Sequence, residues 1–269
     1  MDVLKRITEE FGLKEEHAKN VVALLDEGNT IPFIARYRKE MTGHIDDQVL
    51  RELADRLTYL RNVEKRKSEV STAISEQGKM TDEIAKAITS AETLTEVEDI
   101  YRPYKQKRKT RATVAAAKGL EPLADILMAQ NVYCGSAEDL AMPFVIAANG
   151  VDSAKDALSG AEDIIAERVS DDAELRKKLR RIYLKNAEIT TKLTRIEEDG
   201  AKTYEMYSDF GESVANIKPH RVLAINRGES EGYLKVKVSV DESFAVRVCE
   251  TFFVKDGSVT SANVKNAVF

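Results

Sequence analysis

"DDQVLRELADRLTYLRNVEKRKSEVSTAISE", Asp46 to Glu76, contains neither Pro nor Gly. Within it Val49, Leu50, Leu53, Leu57, Leu60 and Val63 recur at the spacing of one helix face. At roughly 1.5 Å per residue, a helix over this stretch is about 46 Å long. That is longer than one small core needs. The stretch therefore predicts a mainly α chain whose long central helix crosses between sub-domains.

The flanks read the same way. Towards the N-terminus, Val3, Leu4, Ile7 and Phe11 keep a helical period, and Gly12 closes the turn. A second helix is expected from about Lys14 to Glu27, with Val21, Val22, Leu24 and Leu25 as its apolar stripe and Gly28 as its stop. In "NTIPFIARYRKEMTG", Asn29 to Gly43, Pro32 follows Thr30 closely, in the first turn where a helix tolerates proline. Gly43 ends that helix.

Towards the C-terminus, Gly78 breaks the long helix. Thr81 is read as the cap of one short helix and Thr95 of another. "TVAAAKGLEPLADILMA", Thr113 to Ala129, reads as helix, turn at Gly119, helix. Such a pair is either an ordinary helical hairpin or a helix-turn-helix-like element. Ser136 and Ser153 are expected to cap two further helices. Ser170 is expected to open "DDAELRKKLRRIYLKNAE", an amphipathic helix with Leu175, Leu179, Ile182 and Tyr183 on one face and six basic residues on the rest. After about residue 187 the pattern changes. "EITTKLTRI" and "GYLKVKVSV" alternate as strands do. "FAVRVCETFFV", Phe244 to Val254, fits strand or helix.

With 43% hydrophobic residues, the 269-residue chain has the means to bury a real core. Charged residues reach 32% in mixed sign, for a net charge of −5, so general nucleic-acid affinity is not expected and any binding must be local. Two cysteines, Cys134 and Cys249, give neither a disulfide framework nor a metal knuckle and suit a reducing compartment. No leader opens the chain, and no apolar run approaches the roughly 18 residues of a membrane span. A cytoplasmic chain with no membrane partner is expected.

Catalytic chemistry finds little to work with. His17, His44 and His220 are scattered, without another His or a Cys at metal-ligand spacing. "GESEG", Gly228 to Gly232, lacks the Lys-Ser/Thr pair of a phosphate loop. No catalytic residue, metal ligand or cofactor is expected.

Binding chemistry is better supplied. "YRPYKQKRKTR", Tyr101 to Arg111, carries Arg102, Lys105, Lys107, Arg108, Lys109 and Arg111. Cations contact phosphate without reading sequence, and interleaved aromatics such as Tyr101 and Tyr104 stack on unpaired bases. The opposing reading anchors both tyrosines on the core and leaves the charges in water. A smaller basic piece, "ARYRKE", adds Arg36, Arg38 and Lys39, as contacts or as snorkelling side chains of a core helix.

"TIPFIARYRKEMTG", "YRPYKQKRKTRATVAAAKGLEPLA" and "HRVLAINRGESEGYLKVKV" closely resemble segments of the bacterial transcription accessory family Tex, and the resemblance is collinear over essentially the whole chain. It implies a helical N-terminal region that precedes an RNase H-like domain and a C-terminal OB-type RNA-binding domain. This chain matches only the N-terminal part, so it looks like a fragment. The family commonly has an apolar residue in place of Arg102 and Pro in place of Gln106.

The resemblance implies a discontinuous helical domain, 1–61 with 146–218. Residues 62–145 form an inserted helix-turn-helix-like sub-domain, and 219–269 a mixed α/β segment. Functionally it implies a non-catalytic transcription accessory role, with weak nucleic-acid binding that is not sequence-specific. The contact residues would be Arg36, Arg38, Lys39, Arg102, Lys105, Lys107, Arg108, Lys109 and Arg111. The alternative is a helical scaffold that contacts proteins of the transcription machinery and leaves nucleic acid to the absent domain.

Overall fold

The computed structural model describes residues 2–106, 109–194 and 199–269. Lys107 and Arg108, two of the expected contacts, lie outside the described residues. The fold is mainly α with one small sheet, and the chain divides into two units, Met1–Lys105 and Gln106–Phe269.

The first unit consists of α1 (Val3–Glu10), α2 (Glu15–Asp26), α3 (Ile31–Tyr37), α4 (Lys39–Thr42), α5 (Asp47–Glu76), α6 (Asp82–Ser90) and α7 (Leu94–Tyr101). The long helix predicted from Asp46 onward is α5. The Asp46 carboxylate caps it, accepting from the Val49 N–H at 2.9 Å. Its first half buries Leu50, Leu53, Leu57 and Leu60 among Ile7, Val21, Leu24 and Ile34. Its second half buries Val63, Val70 and Ile74 among Ile88, Ala91 and Val97. One helix thus serves two cores, and each fully buried aliphatic side chain contributes about 1.5–3 kcal/mol. Lys67 is buried with partners: its ammonium donates to the Thr89 carbonyl at 3.0 Å and pairs with Glu64 at 2.9 Å.

Three local expectations change. The helix expected between Thr30 and Gly43 is two, because Arg38 leaves helical geometry at φ −129°. Thr93, not Thr95, caps α7, accepting from the Glu96 N–H at 3.2 Å. In the second unit Asp172, not Ser170, caps the basic helix, accepting from the Leu175 N–H at 2.7 Å. In the last two, the true cap sits three residues before the N–H it accepts from, where side-chain reach puts it.

The second unit contains α8 (Arg111–Ala117), α9 (Glu121–Ala129), α10 (Ala137–Ala141), α11 (Ala154–Asp171), α12 (Ala173–Asn186), β1 (Glu188–Leu193), β2 (Asp209–Ser213), α13 (Pro219–Ser230), β3 (Leu234–Ser239), α14 (Glu242–Phe253) and α15 (Ser261–Val268). At its centre lies α11, against which α8, α9, α10 and α15 pack. Gly160 of α11 permits a close approach. A Cβ there would lie 2.4 Å from Leu120 Cδ1, at the turn between α8 and α9. The three strands form an antiparallel sheet in the order β2-β1-β3.

The ambiguous stretch from Phe244 is helix α14. The Asp241 carboxylate caps it, and Cys249 and Phe253 pack on the α11 core. Buried Gln130, at φ +51°, ties this C-terminal segment to α9: its amide donates to the Phe253 carbonyl at 2.7 Å and accepts from the Lys255 N–H at 2.8 Å.

Candidate nucleic-acid interface

The basic stretch begins at the end of α7. Tyr101 is half-buried, and two cations lie over its ring: the Arg66 guanidinium at 5.4 Å and the Lys105 ammonium at 5.5 Å from the centroid. Both also bind Glu98. Arg66 Nε donates to Glu98 at 2.6 Å, and Lys105 Nζ donates to its other oxygen. Partial burial pushes the Glu98 carboxyl up, but the hydrogen bonds from Arg66 and Lys105 outweigh it and hold it below its ordinary value. Lys105 is therefore committed within the fold. Arg102 is exposed and has an interaction of its own.

The boundary between the two units falls inside the stretch, after Lys105. On its far side Lys109 is exposed, with no carboxylate partner among the described residues. Arg111 opens α8 and pairs with Asp163 at 3.2 Å, although its side chain is 86% exposed. The stretch is thus not a row of unpaired charges: both Lys105 and Arg111 are held by carboxylates.

The α8–α9 pair is a helical hairpin joined at Gly119, whose φ of +84° makes the turn. Leu123, Ala124 and Leu127 of α9 face the core. Its outer face carries Glu121 and Asp125, and Asp125 accepts from Arg168 at 2.6 Å. An acidic outer face does not suit contact with phosphate.

The smaller basic piece is different. Ile34 anchors α3 in the core at 0% exposure, while Arg36, Tyr37, Arg38 and Lys39 are all exposed. Tyr37 is 66% exposed and lies 5.3 Å from Phe33, centroid to centroid; the Arg38 guanidinium sits 5.3 Å over the Phe33 ring. No carboxylate pairs with Arg36, Arg38 or Lys39 among the described residues. Sequence reasoning named these cations but set Tyr37 with Phe33 and Ile34 on the apolar side of the helix, whereas the ring is exposed. An aromatic between cations in "RYRK" was the available signal.

Among the described residues no cluster of three His, Cys, Asp or Glu side chains is arranged to hold a metal ion, and no helix is long and apolar enough to cross a membrane.

Two families match the chain: the Tex-like protein N-terminal domain over residues 1–75 and the Tex central region-like family over residues 135–266. The chain belongs to the Tex-like family. Protein YhgF of Escherichia coli is 46% identical over 239 residues, 88% of this chain and 30% of the relative. Transcriptional accessory protein Tex of Neisseria gonorrhoeae is 40% identical over 236 residues, 88% of this chain and 31% of the relative. The human S1 RNA-binding domain-containing protein 1 is 30% identical over 257 residues, 92% of this chain and 25% of the relative. The Tex-like chain described here spans no more than about a third of each of these three relatives.

Proposed function

We propose that this chain is the non-catalytic N-terminal and central region of a Tex-like transcription accessory factor, working in the cytoplasm. In this reading it adds an auxiliary contact to RNA or DNA backbone that is not sequence-specific. The observation that carries the reading is the α3–α4 corner. There Arg36, Arg38 and Lys39 are exposed without carboxylate partners among the described residues, beside the open ring of Tyr37. Cations hold phosphates and the ring stacks on a base, a combination that favours single strands. Lys109, with Lys107 and Arg108, belongs to the basic stretch that the sequence offers for the same role. Arg102, Lys105 and Arg111 contribute less, because each already has a partner in the fold. The human relative's name, with its S1 RNA-binding domain, supports RNA as the class of partner.

The test is fluorescence anisotropy with labelled single-stranded RNA, single-stranded DNA and duplex DNA at low and near-physiological salt. Salt-sensitive binding is expected, falling at least several-fold in the triple variant Arg36→Gln, Arg38→Gln, Lys39→Gln, and again with Tyr37→Ala on single strands only. Binding that ignores all four changes would sink the reading.

A second reading, a scaffold for transcription-machinery proteins, is favoured by α14. Phe244 and Phe252 lie at i, i+8 spacing and remain 37% and 45% exposed, while Cys249 and Phe253 face the core. Loss of co-purifying RNA polymerase subunits on Phe244→Ser with Phe252→Ser would support it.

A further inference from the structure

The α12 helix holds six basic residues and one acid, in a chain of net charge −5. Its apolar side is consumed by the fold. Leu175 is 2% and Ile182 9% exposed, and Leu179 packs on the α11 core beside Leu175. Tyr183 and Leu184, 38% and 60% exposed, are the large apolar residues it leaves outside, and two adjacent positions do not make a face to lay on a lipid surface. Its cations divide into two sets. Arg176, Lys177 and Arg180 have interactions within the protein. Lys178, Arg181 and Lys185 are exposed and have no carboxylate partner among the described residues. They follow one another at i, i+3, i+7, so they form a single stripe.

Several helices pair a surface cation with an acid one turn away: Arg6 with Glu10, Lys19 with Glu15, Arg51 with Asp47, Arg227 with Glu231. Single exposed lysines such as Lys65, Lys86 and Lys155 have no ion pair among the described residues, but on α12 three such cations share one stripe. On α12 the only acid on that side is Glu174, one turn before Lys178, and the two form no ion pair. Lys185 in the last turn suits the negative end of the helix dipole, but that effect ends within a turn and does not account for Lys178 or Arg181.

We infer that the outer stripe of α12, Lys178, Arg181 and Lys185, is a second contact for a nucleic-acid backbone, separate from the α3–α4 corner. The inference rests on the nucleic-acid reading above. The stripe covers about 10.5 Å of helix axis, at roughly 1.5 Å per residue. One strand of a duplex advances about 3.4 Å per phosphate, so the stripe spans about three phosphates. A protein partner would need a desolvated anchor and an apolar centre. A row of cations with Glu174 and the 60%-exposed Leu184 beside it offers neither. A polyanion needs no pocket.

The test is the dependence of binding on salt. Anisotropy titrations of the 269-residue chain with labelled duplex DNA and single-stranded RNA are run across a salt series. Wild type is compared with Lys178→Gln, Arg181→Gln, Lys185→Gln combined, and with the α3–α4 triple variant. The α12 variant should bind at least tenfold more weakly at low salt. The slope of log K against log salt on duplex should shrink by about 2 to 3, close to one unit for each phosphate the protein no longer neutralises. The charge-keeping variant Lys178→Arg, Arg181→Lys, Lys185→Arg should keep the wild-type slope, which separates an effect of charge from an effect of misfolding.

If wild type binds and the α12 variant keeps its slope, this inference is overturned and the α3–α4 reading stands. If wild type binds neither probe at the lowest salt, both fall. If the α12 variant fails to bind a polyglutamate peptide that wild type binds, yet keeps both nucleic acids, the stripe serves an acidic protein and the inference is again overturned.

Discussion

Glu10 joins two helices of the first unit. It accepts from Arg56 Nε on α5 at 2.7 Å and from Arg6 Nε on its own helix α1 at 2.6 Å. The hydrogen bond from Arg56 is the largest influence, and the carboxyl is held at about 2 against its ordinary 4.5. A carboxylate depressed by folding adds stability that is fully present above its unfolded value and is lost as pH falls through its folded value. Glu10→Gln should therefore cost about 1–2 kcal/mol at neutral pH, after allowance for solvent screening of a partly exposed cluster. The cost should fade between about pH 4.5 and pH 2. Urea unfolding of both proteins across that range checks it; a difference that does not change with pH would contradict the assignment. At this scale the sequence named the cations and left their partners open. Lys105 meets Glu98 one element back, and Arg111 meets Asp163 across the second unit. Neither pairing follows from spacing alone. At the α3–α4 corner Glu40 is the one acid near Arg36, Arg38 and Lys39 in sequence, so their lack of a carboxylate partner among the described residues was easier to anticipate.

Among elements, α5 was legible because its apolar residues keep one period along the helix and no breaker interrupts them. The Phe244 stretch was not legible. Its Val and Phe residues suit a strand as well as a helix, and the Asp241 cap together with the packing of Cys249 and Phe253 decided for helix. The alternation of β3 was clear, but its partners were not. Register places Lys192 of the central strand directly opposite Lys235 of β3, both exposed. Like charges in that position repel, and lysine on an edge strand guards against pairing with another chain. Lys235→Thr should raise stability by about 0.2–1 kcal/mol at low salt, with the gain shrinking at high salt as screening removes the repulsion. Thermal melts at the two salts test this; no gain at low salt would mean that the pair does not repel.

Across the whole molecule, both cores of the first unit lie within Met1–Lys105, threaded by α5. A fragment of residues 1–105 should unfold cooperatively by itself. The arrangement of 1–61 with 146–218 around an inserted 62–145 is a proposal about the assembled parent protein. A fragment 62–145 that unfolds cooperatively, followed by circular dichroism in urea, would support it. An unfolded 62–145 beside a folded 1–105 would count against it, because the first cut divides α5.

The sequence by itself determined the helical class, the long central helix, the two alternating strands β1 and β3 and the Tex-like kinship, since period, capping residues and extended motifs are local properties of the chain. Only the tertiary structure decided which charges are available to a partner. An ion pair depends on which surfaces meet after folding, and residues such as Arg111 and Asp163 lie far apart in the chain. On α12 the inward face of Leu175 and Leu179 was legible from the period, but only the fold decided that Tyr183 stays exposed and that, of the six cations, Lys178, Arg181 and Lys185 are the ones left without a carboxylate partner among the described residues.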